Sequence, residues 1–279
     1  MAKRLLIVLL SVVAAAALVA AGIFFLAGGS TGGGGRPAGD GGASSGITTE
    51  DDDDFGSVEV YGVVDGELEP AASGLTQEVW DTFVRLVTPE FAAGAMSQYR
   101  VGDAPESDTL AYVYQDDDPD QWILATNLAT SEDRASLIAT LVHEYAHILT
   151  LANTTEMDLD ETSCETIELS EGCALPDSYL LAFEQQFWAA YDDTAPTADN
   201  DDADVAYDFY LEHEDDFVSD YAATNVVEDI AESFMTFVLE DQPDSSTVTA
   251  AKLNFFWGYP ELVDIRDRIR TEFTGELGL

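Results

Sequence analysis

EDRASLIATLVHEYAHILTL, residues 132–151, is the stretch whose reading decides the fold. Leu137, Leu141, Tyr145 and Ile148 recur at helical spacing, so an amphipathic helix is predicted over 132–151. Thr130 and Asp133 precede it with capping-box spacing. Ser136, Thr140, His143, His147 and Thr150 form a polar stripe beside the apolar one, a position from which the two imidazoles need no burial in the core. His143-Glu144-Tyr145-Ala146-His147 is an H-E-x-x-H motif. Residues four apart share a helical face, so both rings can reach one ion. Glu144, turned by about 100° from His143, is set beside that ion as a candidate base. The chain has three His in all, so this pairing around a Glu by chance is improbable.

Working outward, VEVYGVV (58–64) reads as a strand ended by Asp65-Gly66. TQEVWDTFVRLVT (76–88) reads as a helix with Val79, Phe83 and Leu86 inward, stopped before Pro89. TLAYVYQ (109–115) and QWILATN (121–127) suggest a hairpin across an Asp/Pro turn. Helices are predicted over 178–191, 204–213, 226–240, 248–257 and 260–272. Strands crowd the N-terminal half and helices the C-terminal half, which is an α+β order.

A catalytic zinc site takes three protein ligands and leaves one position open. In VVEDIAESFMTFVLE (226–240), Glu228 and Glu232 sit one turn apart on a face that continues apolar, and carboxylates are rarely buried unless paired or bound to metal. Glu228 also stands three residues after Asn225, where it fits a capping box; spacing alone leaves ligand and cap open. HEYAH followed by YAATNVVEDIAESF (221–234) resembles the gluzincin metallopeptidases, in particular the lethal-factor-like branch and related zinc-binding peptidases. The resemblance covers about residues 130–240 and implies a zincin-like domain: a small N-terminal sheet, the H-E-x-x-H helix and a helical C-terminal half. It implies Zn²⁺ held by His143, His147 and Glu228. It also implies Tyr221 as stabiliser of the transition state and Glu232 as the residue that orients a His ligand. The commonest gluzincin pattern has Asp where this chain has Glu232, whereas the lethal-factor-like pattern accepts Glu.

Ten Lys and Arg stand against 55 Asp and Glu, a formal charge of −45 in 279 residues. Such a surface repels nucleic acid and anionic lipid and points to a very salty medium, where the Debye length falls to about 3 Å at 1 M. The Asp runs at 51–54, 116–118 and 201–202 do not fit EF-hand spacing. Residues 1–27 contain an apolar run from Leu5 to Ala27 behind Lys3 and Arg4. It is read as a signal anchor, with a cleaved signal peptide as the alternative. Residues 28–54 read as a Gly-rich, acidic tether, and 55–279 as the metallopeptidase domain. Cys164 and Cys173 are expected to form a disulfide in an oxidising compartment, free thiols or half a metal site being the alternatives. His213, among acids, reads as a surface residue.

These features predict an exported, membrane-tethered zinc peptidase acting on peptide or protein substrates, with Glu144 and Tyr221 catalytic and residues 121–127 flanking the cleft. The alternative is a non-catalytic surface module with a structural or vestigial zinc.

Overall fold

The computed structural model describes residues 47–191, 194–244 and 246–279. The N-terminal apolar run and most of the expected tether lie outside them. No helix among the described residues is long and apolar enough to cross a membrane.

Folding starts earlier than the composition suggests. Strand β1 (Thr48–Asp52) falls inside the expected tether, because it pairs antiparallel with β2 (Gly56–Val64). Asp65 and Gly66, both at positive φ, turn β2 into β3 (Glu67–Glu69), the paired left-handed geometry that suits a two-residue hairpin. Helix α1 (Gly74–Val87) buries Val79, Phe83 and Leu86 as predicted, and Pro89 opens a second helix, α2 (Pro89–Ala95). Strands β4 (Met96–Gly102), β5 (Ala111–Gln115) and β6 (Trp122–Asn127) complete the main sheet. Its order is β1-β2-β4-β6-β5, with β3 beside β2; β4 and β6 are parallel and the other pairs antiparallel.

The predicted hairpin is therefore present, but its two strands differ in station. All six residues of β6 are buried because β4 and β5 flank it. The strand at the sheet edge is β5. Residues 121–127 therefore cannot pair with an incoming extended peptide: both backbone edges of that strand are occupied by its neighbours.

The H-E-x-x-H helix is α3 (Arg134–Thr150), two residues shorter at its start than predicted. Asp133 alone caps it, its Oδ1 accepting from Ser136 N at 2.8 Å; Thr130 instead donates to Asn127 O. Beyond α3, short strands β7 (Met157–Asp158), β8 (Glu168–Leu169) and β9 (Gly172–Ala174) form a small second sheet. The Cys164–Cys173 disulfide closes its hairpin, as the spacing predicted.

The predicted helix over 178–191 is α4 (Tyr179–Phe183) running into a π-helical turn, Glu184–Trp188. Then follow α5 (Ala203–His213), α6 (Val226–Leu239), α7 (Val248–Phe256), α8 (Pro260–Glu272) and α9 (Thr274–Leu277). One core joins the sheet, α1, α3, α4 and α6. Three of the chain's ten basic residues lie on α8 and close helix ends. Arg266 donates to Phe237 O and Glu240 O, Arg270 to Val238 O and Leu239 O, and Arg268 to Leu86 O. The last carbonyls of α6 and α1 thus receive cationic donors, the favoured charge at a helix C-terminus.

Candidate metal centre

Helices α3 and α6 pack face to face and bring three side chains to one point. His143 Nε2 lies 3.0 Å from His147 Nε2 and 3.1 Å from Glu228 Oε2, and His147 Nε2 lies 3.5 Å from Glu228 Oε2. All three residues are buried, so the polar stripe of α3 is covered at the His pair by α6, contrary to the sequence expectation. Of its two readings, the Glu228 carboxylate takes the one beside the imidazoles and not the capping-box one. The backbone N–H of Glu228 is capped by Asn225 Oδ1 at 2.9 Å, while its carboxylate turns to the imidazoles.

The neighbouring groups fix which nitrogen faces inward. His143 Nδ1 sits 2.9 Å from Glu232 Oε1, and the other oxygen of Glu232 accepts from Ser219 Oγ at 2.6 Å. A carboxylate is acceptor-only when ionised, so Nδ1 carries a proton and Nε2 is the nitrogen that faces Glu228 and His147. Ser219 Oγ also accepts from Ala222 N at 3.0 Å. That bond joins the metal cluster to the 3₁₀ turn Tyr221–Ala223, just ahead of α6. The Tyr221 ring centroid is 6.0 Å from that of His143, and the hydroxyl is hydrogen-bonded to Glu228. Burial, followed by the charges of Glu228 and Glu144, pushes the Tyr221 phenol well above its ordinary range, so it stays a donor.

Burial opposes ionisation of both His143 and Glu228, but Glu228 and Glu232 outweigh it at His143, and His147 and His143 outweigh it at Glu228. His143 is lifted above the usual imidazole range and Glu228 is held below the usual carboxylate range. Glu144 differs. Burial raises it to about 7, the two His offset only part of that, and the β5 backbone at Val113 hydrogen-bonds it. The edge strand therefore meets the motif at its glutamate, Glu144.

The donor set suits a divalent metal. Glu228 Oε2 is fully buried and makes no hydrogen bond of good geometry, despite its short distances to both imidazoles. The two imidazole nitrogens and this oxygen face one point, so a divalent metal placed there would displace the proton that His143 holds towards Glu228. Zinc bonds of about 2.0–2.1 Å at tetrahedral angles set ligand atoms roughly 3.3–3.4 Å apart, close to the three separations here.

No protein-family model, curated protein or solved structure matches this chain. What it shows is a buried His143/His147/Glu228 group able to hold a metal, within an α+β fold.

Some site residues were beyond sequence reasoning. Ser219 and Val113 each touch the cluster through one contact set by packing, with no local signal. Asp229 is fully buried, its Oδ2 2.7 Å from Lys252 Nζ and 2.7 Å from Trp188 Nε1. The π-helical turn carries that Trp188, and such turns are frequent near functional sites. His213 is not part of the metal group. Its ring packs at a tilt against Tyr191 and Phe209, and its Nδ1 lies 3.9 Å from Asp216.

Proposed function

We propose that the protein is a zinc peptidase of gluzincin type, hydrolysing peptide bonds at the His143/His147/Glu228 cluster. The observation that carries the reading is a three-donor buried group with a lifted, unligated carboxyl, Glu144, on the residue between them in the motif. When bound, zinc supplies a Lewis acid that lowers the pKa of water towards neutrality and polarises a carbonyl.

The chain's own groups do the rest. Glu144, at about 7, is matched to accept the proton of the attacking water and return it to the leaving amine near neutral pH. Tyr221 releases its bond to Glu228 and donates to the oxyanion. Glu232, anchored by Ser219, keeps the Nε2 of His143 turned inward. The outer edge of β5 offers the backbone groups on which an extended substrate pairs, in place of the strand first expected.

A closed structural zinc is less well supported, because both thiols that were candidates for a fourth ligand are joined in the disulfide. That disulfide also supports action in an oxidising compartment outside the cell, with the N-terminal apolar run as tether.

Glu144→Gln tests the reading. Turnover of a casein-derived peptide mixture at molar salt should fall by at least a thousandfold while the zinc content stays at one per chain. Cleavage at the parent rate would end the proposal.

A further inference from the structure

The face of α3 that carries the His pair does not end at the metal cluster. Thr140 and Ser136 continue it one and two turns towards the N-terminus, about 4.5 and 10.5 Å along the axis from His143. There the face opens, and both residues are half-exposed. A pocket of about 200 Å³ lies at this place, between these residues, Leu137, Asp133 and Leu110, the residue just before β5. Its walls are thus the two elements that flank the motif. An extended peptide advances about 3.3 Å per residue, so it reaches the pocket about one to three residues from the cluster.

The chemistry of the lining selects what enters. Leu110 and Leu137 supply apolar wall. Thr130 and Ser131 also line the pocket, and both hydroxyls donate to Asn127 O, at 3.0 and 2.7 Å. The Ser136 side chain hydrogen-bonds Asp133. The hydroxyl protons of Thr130, Ser131 and Ser136 are therefore committed, and their oxygen lone pairs remain for an incoming group. The first N–H groups of α3 are no anion trap either, since Ser136 N donates to the Asp133 side chain and Leu137 N to its carbonyl. Asp133 is itself exposed, and the Ser136 backbone N–H, followed by the Ser136 side chain, holds its carboxyl below the usual range.

We propose that this pocket is a side-chain subsite that admits lysine or arginine of the substrate, its aliphatic stem against Leu110 and Leu137 and its cationic end at Asp133. An acidic side chain would meet the like charge of Asp133. The inference rests on the peptidase reading for the position of the substrate, and its test separates the two.

Peptides carrying Lys, Arg, norleucine or Glu at each of three positions on either side of a central bond are presented to the zinc-loaded protein in molar KCl. Cleavage is followed by mass spectrometry. Binding of the same peptides to the Glu144→Gln variant is followed by fluorescence anisotropy. At one position Lys and Arg should exceed norleucine fivefold or more, and Glu should be the poorest. Asp133→Asn keeps a residue that caps helices equally well. It should bring the Lys preference below twofold while zinc affinity and melting temperature hold. Thr140→Trp, which fills the pocket, should erase discrimination at that position alone.

If peptides are cut but Asp133→Asn leaves the preference unchanged, the subsite is overturned and the peptidase reading stands. If nothing is cut yet Lys-dependent binding is lost in Asp133→Asn, the subsite stands and hydrolysis falls. Equal binding of Lys, norleucine and Glu peptides at every position overturns it outright.

Discussion

Replacing Glu228 by Gln removes one charged donor from the cluster while keeping its volume. Four-ligand structural zinc sites are worth about 10–16 kcal/mol, so one ligand is worth roughly 2.5–4 kcal/mol. At about 1.4 kcal/mol per decade, zinc affinity should fall a hundredfold to a thousandfold. Glu232→Gln leaves all three donors in place and loosens only the 2.9 Å contact at His143 Nδ1, so a loss of about 10–100-fold is expected. Glu144→Gln touches no donor and should leave the affinity within threefold. The three variants therefore have a fixed rank. Competition for zinc against a chromophoric chelator at pH 7.5 in molar KCl reads it directly, with thermal melts confirming that each variant folds. Parent-like affinity in Glu228→Gln would refute the three-donor site. So would a loss in Glu144→Gln as large as that in Glu228→Gln, because the motif's carboxylate would then itself be a ligand.

Lys252→Met should cost about 3–5 kcal/mol of stability in chemical denaturation, because Asp229 stays buried without its cation; Asp229→Asn added to it should restore more than half. Glu156, lifted by burial to about 7, binds a proton in the fold that it has lost in the unfolded chain between about pH 4.5 and 7, so its contribution to stability falls as pH rises through that window. Glu156→Gln should therefore gain on the parent from pH 5 to 8, by about 1–2 kcal/mol after allowance for partial solvent screening, and a constant difference across that range would contradict it. Reducing the Cys164–Cys173 bond, which spans nine positions, should cost about 2–3 kcal/mol, read as a melting-temperature drop of roughly 5–10 °C.

The sequence carried the elements well and their arrangement poorly, for a physical reason. Helical periodicity is local, so α1, α3 and α6 were legible from Val79-Phe83-Leu86, the HEYAH stripe and the Glu228/Glu232 pair. Strand neighbours are chosen by contacts remote in the chain. Nothing within residues 109–127 decides which strand of the hairpin faces out, although the unbroken apolar run Trp122–Ala125 was a sign of an interior strand. The burial of His143 and His147 likewise depends on α6, some 80 residues later. β1 was masked by composition: Thr48–Asp52 is polar throughout, and pairing with β2 rather than side-chain burial makes it a strand.

The arginines of α8 bear on what dissolved salt can and cannot do for so acidic a chain. Solvent ions can neutralise the acidic exterior, so the chain has little need of its own positive groups there. They cannot take up the fixed posts at the ends of α6 and α1, where donors must arrive at set angles inside the protein. Deleting the last twenty residues would thus unfasten the far end of the helix that presents Glu228, a defect that added potassium could not repair.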